Sequence, residues 1–215
     1  ANGYANDFNG KINITRNSVD APIFPKNGSN FSLLGQFTPP YSLLNGKDYS
    51  TLPIGEKYKF IEYQKYKFTA EWFTQLTNKK AGEGKEARNL VLRTKIGYGI
   101  LGMYNKAVGV SPFERYYMGG SGLSGYQNFV AREIIALRGY TDNSLSSSSG
   151  DPICARYTME LRYPISLNPQ ATIFVLGFAE AGNTWAKYKD FNPFQVKRSA
   201  GFGLRVFLPM FGLLG

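Results

Sequence analysis

The sequence predicts an all-β protein, an antiparallel transmembrane β-barrel of which this chain forms a part of about seven to eight strands. Three observations predict this fold. Long runs alternate apolar and polar residues with a period of two. The chain contains no uninterrupted stretch of about 18–20 apolar residues, so no transmembrane helix is predicted. Aromatic residues make up 15% of the chain and glycines number 24, as expected where strands cross a lipid interface.

Strand length separates a membrane barrel from a soluble sandwich. Several alternating runs exceed the ~9–11 residues that a tilted membrane-crossing strand needs, whereas strands of globular proteins most often have ~5–6. A tight turn at Asn168-Pro169 contrasts with long connections at 106–153 and 186–195, as on the two sides of outer-membrane barrels. The pattern favours a membrane barrel, and an aromatic-rich soluble β-sandwich is the alternative.

The first half of the chain contains four predicted strands, with turn residues such as Asn27-Gly28 between the first two. These strands cover residues 11–15, 30–38, 59–76 and 90–100. In the third strand, Tyr66, Phe68 and Trp72 share one face, while Lys65 and Lys67 share the other. We expect the apolar face to contact lipid and the polar face to line the lumen. The lipid-facing set is expected to be Tyr66, Phe68, Trp72, Leu92, Ile96, Leu161, Tyr163, Phe202 and Leu204, and the lumen set to include Lys67, Arg93 and Arg205.

The second half contains three predicted strands and the beginning of an eighth at about Gly212. These three strands cover residues 156–165, 171–182 and 196–208. Glu160 falls on the polar face of the first of these strands. In the second of them, residues 173–179 are apolar on both faces, and if Glu180 points into the lumen, so do Phe174, Leu176 and Phe178, which share its parity. The lumen is therefore expected to be packed, as in a plugged barrel, rather than filled with water. The alternative is a sandwich-core strand with Glu180 at its exposed end.

A long loop at about residues 106–153 carries the motif Leu137-Arg138-Gly139-Tyr140. Loops of this length in compact domains are usually functional. An arginine in a loop, followed by Glu160 and Glu180 on strands that look membrane-embedded, suggests a buried ion pair inside the barrel. We therefore predict that Arg138 pairs with both acids and that these residues form the functional site.

Composition argues against several other functions. The chain has no histidine, and its single cysteine, Cys154, has no histidine to activate it, so an enzyme is disfavoured and no metal or cofactor is expected. The net charge of +10 is spread along strands rather than gathered in a run, which indicates a basic lumen or a lipopolysaccharide-facing rim instead of nucleic-acid binding; a solvated face is the alternative. The glycine spacing of Gly120 to Gly125 resembles a dinucleotide motif, but no helix pattern follows it.

Several segments carry a family resemblance and occur in the order typical of that family. They are Asp20 to Ser29, Glu114 to Gly120, Leu137 to Tyr140, Met159 to Pro164, Phe178 to Trp185 and Arg198 to Gly203. Together they resemble the C-terminal half of the barrel of BamA-type outer-membrane protein assembly factors. The insertion Gly122-Leu123-Ser124-Gly125-Tyr126 is similar to variants from Bacteroidetes.

The resemblance implies a sixteen-stranded barrel that follows periplasmic POTRA domains in the cell outer membrane. Its sixth extracellular loop would fold back into the lumen and place Arg138 against Glu160 and Glu180. Such barrels insert other barrels through a lateral seam between the first and last strands, without nucleotide hydrolysis. The implied partners are outer-membrane lipid and lipopolysaccharide, unfolded barrel clients, accessory assembly lipoproteins and the N-terminal part of the same barrel. Because the sequence does not begin with Met, we expect a fragment.

One departure from the family pattern concerns the arginine. The family usually places it soon after the paired glycines, where this chain has Ser124-Gly125-Tyr126, and Arg138 comes about a dozen residues later. We predict Arg138 as the matching residue because Ser124 cannot pair with a carboxylate. Two other functions share much of this pattern: a translocation pore of the two-partner-secretion type in the same superfamily, and a passive porin-like barrel.

Overall fold

An eight-stranded antiparallel sheet dominates the computed structural model, which describes residues 4–78, 88–121 and 132–214. Its strands, in the order in which they pair, are β1 (Gly10–Asn17), β2 (Gly28–Phe37), β3 (Gln64–Gln75), β4 (Val91–Gly102), β7 (Ile153–Asn168), β8 (Ala171–Trp185), β9 (Lys197–Leu208) and β10 (Gly212–Leu214). The two remaining strands, β5 (Tyr116–Met118) and β6 (Glu133–Ile135), form a separate parallel pair. The prediction of seven strands and the start of an eighth is confirmed.

The connections differ in length between the two ends of the sheet. The connections at one end follow β2, β4 and β8, and those at the other end follow β1, β3, β7 and β9. The first group contains two short helices, α1 (Tyr41–Leu44) and α2 (Ile54–Lys57), and a 3-10 turn at Tyr188–Asp190. None of the helices in the described ranges is long and apolar enough to cross a membrane. Outer-membrane barrels carry their longer loops outside, so we assign the first end to the extracellular side.

The outer face of the sheet, opposite the face that carries Glu160 and Glu180, is apolar. Of the predicted lipid-facing residues, seven are exposed and two are half-buried on the same face. The exposed ones are Tyr66, Phe68, Trp72, Leu161, Tyr163, Phe202 and Leu204, and the half-buried ones are Leu92 and Ile96. The register pairs Ile96 with Tyr157 and Leu92 with Leu161, so these side chains form continuous outward rows across neighbouring strands.

The inner face is packed with side chains, as the parity of β8 predicts. Phe174 and Leu176 are 1% and 3% exposed and pack with Phe24, Phe73 and Val91 in one cluster. Nearer the extracellular end, a second cluster joins strand residues to the long loop. Its buried members are Ile61, Tyr63, Leu101, Tyr116, Met118, Leu137 and Cys154. The described parts of the loop, residues 103–121 and 132–152, therefore pack against the inner face rather than projecting away from it.

Two features differ from the sequence-based expectations, and the other strand ends agree within three residues. β3 begins at Gln64 rather than Lys59, because residues 59–61 follow the short helix α2 and pair with Asn6 instead of β2. The segment 106–153, expected to be a loop, contains β5 and β6, and β7 begins at Ile153. Two glycines and mixed charges at residues 78–85 predict a turn after the third strand. This segment falls almost wholly outside the described residues, as does the glycine-rich insertion at 122–126.

Candidate functional site

Arg138 lies between Glu160 and Glu180 on the inner face. Its Nη2 atom is 2.7 Å from Glu160 Oε1 and 2.7 Å from Glu180 Oε1, so a single guanidinium nitrogen contacts carboxylates from two adjacent strands. Its backbone N–H also donates to Glu180 Oε2 at 2.9 Å. The carbon of the guanidinium lies 3.7 Å from the centre of the Phe178 ring, a cation–π contact. The loop is thus joined to β7 and β8 through both its backbone and its side chain.

The two acids have further cationic partners on the strands. Glu160 Oε2 accepts from Arg162 at 2.6 Å and from Arg93 at 2.9 Å, and Glu180 Oε1 accepts from Arg156 at 2.7 Å. Arg93 also pairs with Glu71 on β3. Among the described residues, four arginines and three glutamates therefore form one network that joins the loop to β3, β4, β7 and β8. The network carries one more positive than negative charge.

Burial sets the energetic importance of this network. The Glu180 side chain is fully buried, Glu160 is 5% exposed and Arg138 is 15% exposed. An unpaired buried charge is costly, and removal of one partner from a buried ion pair typically destabilises a protein by about 3–5 kcal/mol. Since each acid keeps at least one strand arginine, loss of Arg138 should cost less than this. The arrangement is suited to holding a loop, because Arg138 joins the loop to two strands that are themselves paired.

The neighbours of Arg138 in the motif also pack against the strands. Leu137 is fully buried in the cluster formed by the loop and the strands. Gly139 has a φ of +86°, and a Cβ there would lie 3.2 Å from the Cβ of Ser199. The Tyr140 hydroxyl donates to the carbonyl oxygen of Arg198 at 2.8 Å. The motif therefore contacts β9 as well as β7 and β8.

The paired glycines approach this motif despite their distance in sequence. Gly120 forms an antiparallel bridge with Leu137, and its N–H donates to the carbonyl oxygen of Tyr140 at 3.0 Å. Both glycines have positive φ, +129° at Gly119 and +87° at Gly120, and a Cβ at Gly120 would lie 1.8 Å from Asp142 Oδ1. A Cβ at Gly119 would lie 2.3 Å from the backbone carbonyl oxygen of Thr141, and the positive φ at both positions favours glycine. The structure thus places Arg138 beside the glycine pair, although residues 122–131 between them lie outside the described ranges.

A second ion cluster, which the sequence analysis missed, attaches the β5–β6 pair to β3. Lys65 Nζ lies 2.7 Å from Glu114 Oε2 and 2.5 Å from Glu133 Oε2, and Lys67 also pairs with Glu133. The Lys65 side chain is 1% exposed and its ammonium lies 5.0 Å from the centre of the Tyr116 ring. Burial alone would raise the pKa of Glu133, but the charges of Lys65 and Lys67 outweigh it and hold that pKa below its usual range.

Further hydrogen bonds brace the loop internally and attach it to β8. Arg115 donates from its guanidinium to the carbonyl oxygens of Val110, Ser111 and Gly150, at 3.1, 2.7 and 3.3 Å. Asp151, 3% exposed, accepts from the hydroxyl of Thr184 on β8 at 2.6 Å. Arg115 stands in the Glu114–Gly120 segment noted above, but the sequence alone did not give it a role. Its position after a proline-containing turn carried no periodic signal.

Comparison with known proteins agrees with this geometry. The Omp85 superfamily domain matches residues 1–214. No curated protein matches. Among solved structures, the crystal structure of BamA from Haemophilus ducreyi lacking POTRA domains 1–3 has a similar fold, with a TM-score of 0.63 and 20% sequence identity.

The match covers 96% of this chain and 37% of that BamA chain, so this chain spans less than half the length of that protein. At this level of identity, the likeness is one of fold. The family match, in contrast, extends over nearly all of the sequence. The chain therefore belongs to the Omp85 superfamily and is an outer-membrane β-barrel protein.

Proposed function

We propose that this chain is the C-terminal part of the barrel of a BamA-type assembly factor, which folds other barrel proteins and inserts them into the outer membrane. The observation that carries the proposal is the loop on the inner face, held by Arg138 between Glu160 and Glu180. Superfamily membership and the BamA-like fold support a role in outer-membrane protein assembly or translocation. The activity is proposed for the whole protein, of which the chain would supply the anchored loop.

The packed inner face argues against a passive pore. Water-filled porin barrels have a polar, open interior. Here Phe174 and Leu176 are buried on the inner face, and the long loop contributes Tyr116, Met118 and Leu137 to a second buried cluster. A barrel filled in this way would not conduct ions steadily. It could, however, present a rigid wall against which a client strand is organised.

The mechanism we propose is non-enzymatic and uses strand pairing. A client strand would pair with an edge strand at a lateral seam between the first and last strands of the whole barrel, by β-augmentation. The favourable free energy of insertion comes from two sources: hydrogen bonding of the client's backbone N–H and C=O groups, and burial of its apolar side chains in lipid. Unpaired backbone groups in lipid cost several kcal/mol each. The anchored loop would hold β7, β8 and β9, which lie beside the last strand, in register while the seam opens. Accessory lipoproteins are proposed as further partners of the whole protein.

Reconstitution of the full-length protein in proteoliposomes tests this function. An unfolded barrel client should become folded in the bilayer, which gel mobility without heating and protease protection both report. The variant Arg138→Ala should slow insertion. The matched control is Arg205→Ala. Arg205 lies on the same face as Arg138 but forms no ion pair within the described ranges.

Three other outcomes would contradict the proposal. Passage of an unfolded polypeptide into the vesicle lumen without insertion would identify a translocation pore of the two-partner-secretion type. Steady ion conductance without either activity would identify a porin-like barrel. Insertion that persists after disulfide bonds lock the first and last strands together would refute the seam.

A further inference from the structure

A continuous groove runs along the outer face over β8. Three adjoining depressions, with volumes of about 550, 510 and 590 Å³, share lining residues: the first two share Met159 and Ala179, and the last two share Leu161 and Phe202. Each volume lies within the range of about 300–1,000 Å³ that is typical of small-molecule sites. We call this feature the β8 groove.

The β8 groove has a narrow apolar floor and two apolar walls. Its floor is formed by small residues of β8, because Gly177, Ala179 and Ala181 all point outward there. Larger side chains of β7 on one side and of β9 on the other form its walls. The wall residues are Met159, Leu161 and Tyr163 on β7, and Phe202 and Leu204 on β9. A long, open, apolar channel on a lipid-facing surface matches the shape and polarity of a single acyl chain.

A cationic residue lies at the extracellular end of the groove. Arg198 lines the first depression, is exposed, and stands second in β9 beside the loop at 186–196. It forms no ion pair within the described ranges, although its carbonyl oxygen accepts the Tyr140 hydroxyl. An arginine near a membrane interface costs only about 0–1 kcal/mol and can extend towards the headgroups. Its charge is thus available to an anionic lipid headgroup.

We propose that the β8 groove binds an acyl chain of lipopolysaccharide, with a phosphate of the lipid A headgroup paired with Arg198. The position of Arg198 favours this lipid over others, because it stands at the end of the sheet that carries the long loops and so faces the outer leaflet. A guanidinium pairs well with a phosphate through parallel N–H donors. The proposal is independent of whether the barrel assembles or translocates proteins.

The groove lies directly behind the Arg138 site. Glu180, which holds Arg138 on the inner face, sits between the outward residues Ala179 and Ala181 on β8. On β9, the backbone carbonyl oxygen of Arg198 accepts a hydrogen bond from the Tyr140 hydroxyl, and a Cβ added at Gly139 would lie 3.2 Å from the Cβ of Ser199. A lipid seated in the groove would therefore stabilise the two strands that hold the loop, and we expect it to raise the stability of the anchored loop.

Native mass spectrometry of the detergent-solubilised full-length protein tests the headgroup contact. The probes are diphosphorylated lipid A, the same lipid after enzymatic dephosphorylation, and phosphatidylglycerol. We expect lipid A to bind in preference to the other two, and Arg198→Gln to weaken its binding about tenfold, as loss of one charge-assisted contact would. Lys187→Gln removes an exposed cation from the same rim, outside the groove, and should leave binding unchanged.

The acyl-chain contact needs a second pair of variants. Ala200→Trp places a large side chain in the groove between β8 and β9 and should abolish lipid A binding. The control Ile100→Trp, on the outer face outside the groove, should leave lipid A binding unchanged. Ala179→Leu serves if Ala200→Trp fails to fold, which loss of heat-modifiable gel mobility would reveal. Equal binding to wild-type and Arg198→Gln protein, or unchanged binding to a folded groove-filling variant, would overturn the site. Preferential binding of phosphatidylglycerol would overturn the assignment to lipopolysaccharide.

Discussion

The backbone amide of Arg138 donates to Glu180 Oε2 at 2.9 Å, so the loop is joined to β8 by a bond that does not depend on the side chain at position 138. The guanidinium adds the contact with Glu160 and a second contact with Glu180. Backbone and side chain thus fix the same point of the loop against two strands. Variants at these three positions can separate the two contributions.

We expect Arg138→Ala to destabilise the anchored loop by less than the ~3–5 kcal/mol typical of a broken buried pair, because the strand arginines still neutralise both acids. Arg138→Lys should lie between Ala and wild type, since an ammonium cannot reproduce the planar donor array of a guanidinium. Urea unfolding and protease accessibility of the loop in the full-length protein measure both effects. Release of the loop that is equally complete in the Lys and Ala variants would contradict this order.

The two acids should differ in the effect of neutralisation. The Glu180 carboxylate accepts hydrogen bonds from both the side chain and the backbone amide of Arg138. Glu180→Gln removes its charge, so the loop should become accessible to protease. Glu160→Gln leaves Arg93, Arg138 and Arg162 around a neutral amide and should lower the stability of the whole barrel more. Unfolding midpoints and loop proteolysis, measured on both variants, give the comparison. Identical behaviour of the two would show that the network acts as one unit.

The Lys65 cluster should act as a second anchor for the loop. Lys65→Met and Glu133→Gln should each expose the β5–β6 segment to protease while leaving Arg138 in place, because Lys65 contacts Glu133 at 2.5 Å and is 1% exposed. A double-mutant cycle between them should give a coupling energy of about 0.5–3 kcal/mol, as residues in contact do. A cycle between Lys65 and Arg138 that proved strictly additive would indicate two independent anchors. No measurable coupling between Lys65 and Glu133 would refute this one.

Gly120→Ala should displace the loop for a steric reason as well as a conformational one. Gly120 has a φ of +87°, and its added Cβ would lie 1.8 Å from Asp142 Oδ1. Gly109 has a similar φ of +80° but nothing within 4 Å of an added Cβ, so Gly109→Ala isolates the conformational cost of about 1–3 kcal/mol. The thermal stability of the Gly120→Ala variant should be lower than that of the Gly109→Ala variant. Equal losses would show that the contact with Asp142 is relieved at little cost.

The outer face gives a prediction that depends on depth in the membrane. Leu161→Arg, near the middle of β7, should destabilise the barrel by about 2–4 kcal/mol, whereas Ile165→Arg, closer to the short-turn end, should cost about 0–1 kcal/mol. Unfolding in lipid vesicles measures both. A soluble sandwich would show no such dependence on depth, since both positions would then lie against another sheet or in water.

The period-two pattern was sufficient to place the strands and to assign Glu160 and Glu180 to the inner face. The pattern did not predict the position of Arg138, because loop residues have no periodicity. That prediction came from the motif and the family resemblance. The start of β3 was wrong by five residues, since Lys59–Ile61 alternate like a strand but pair with Asn6. The Lys65 cluster could not be found, because its acids come from a segment read as an irregular loop. Three-residue strands such as β5 and β6 are too short to give a pattern.

The hairpin of β7 and β8 has consequences for the order of folding. A turn at residues 169–170 joins two strands that carry both acids, and Arg138 precedes them along the chain by only 22 and 42 residues. Contacts that are close in sequence close small loops and form quickly, whereas contacts between distant strands come later. The segment from 138 to 180 could therefore assemble as a local unit before the rest of the wall is complete. A nascent barrel would then carry its loop in place from the start, instead of threading it into a closed cylinder afterwards.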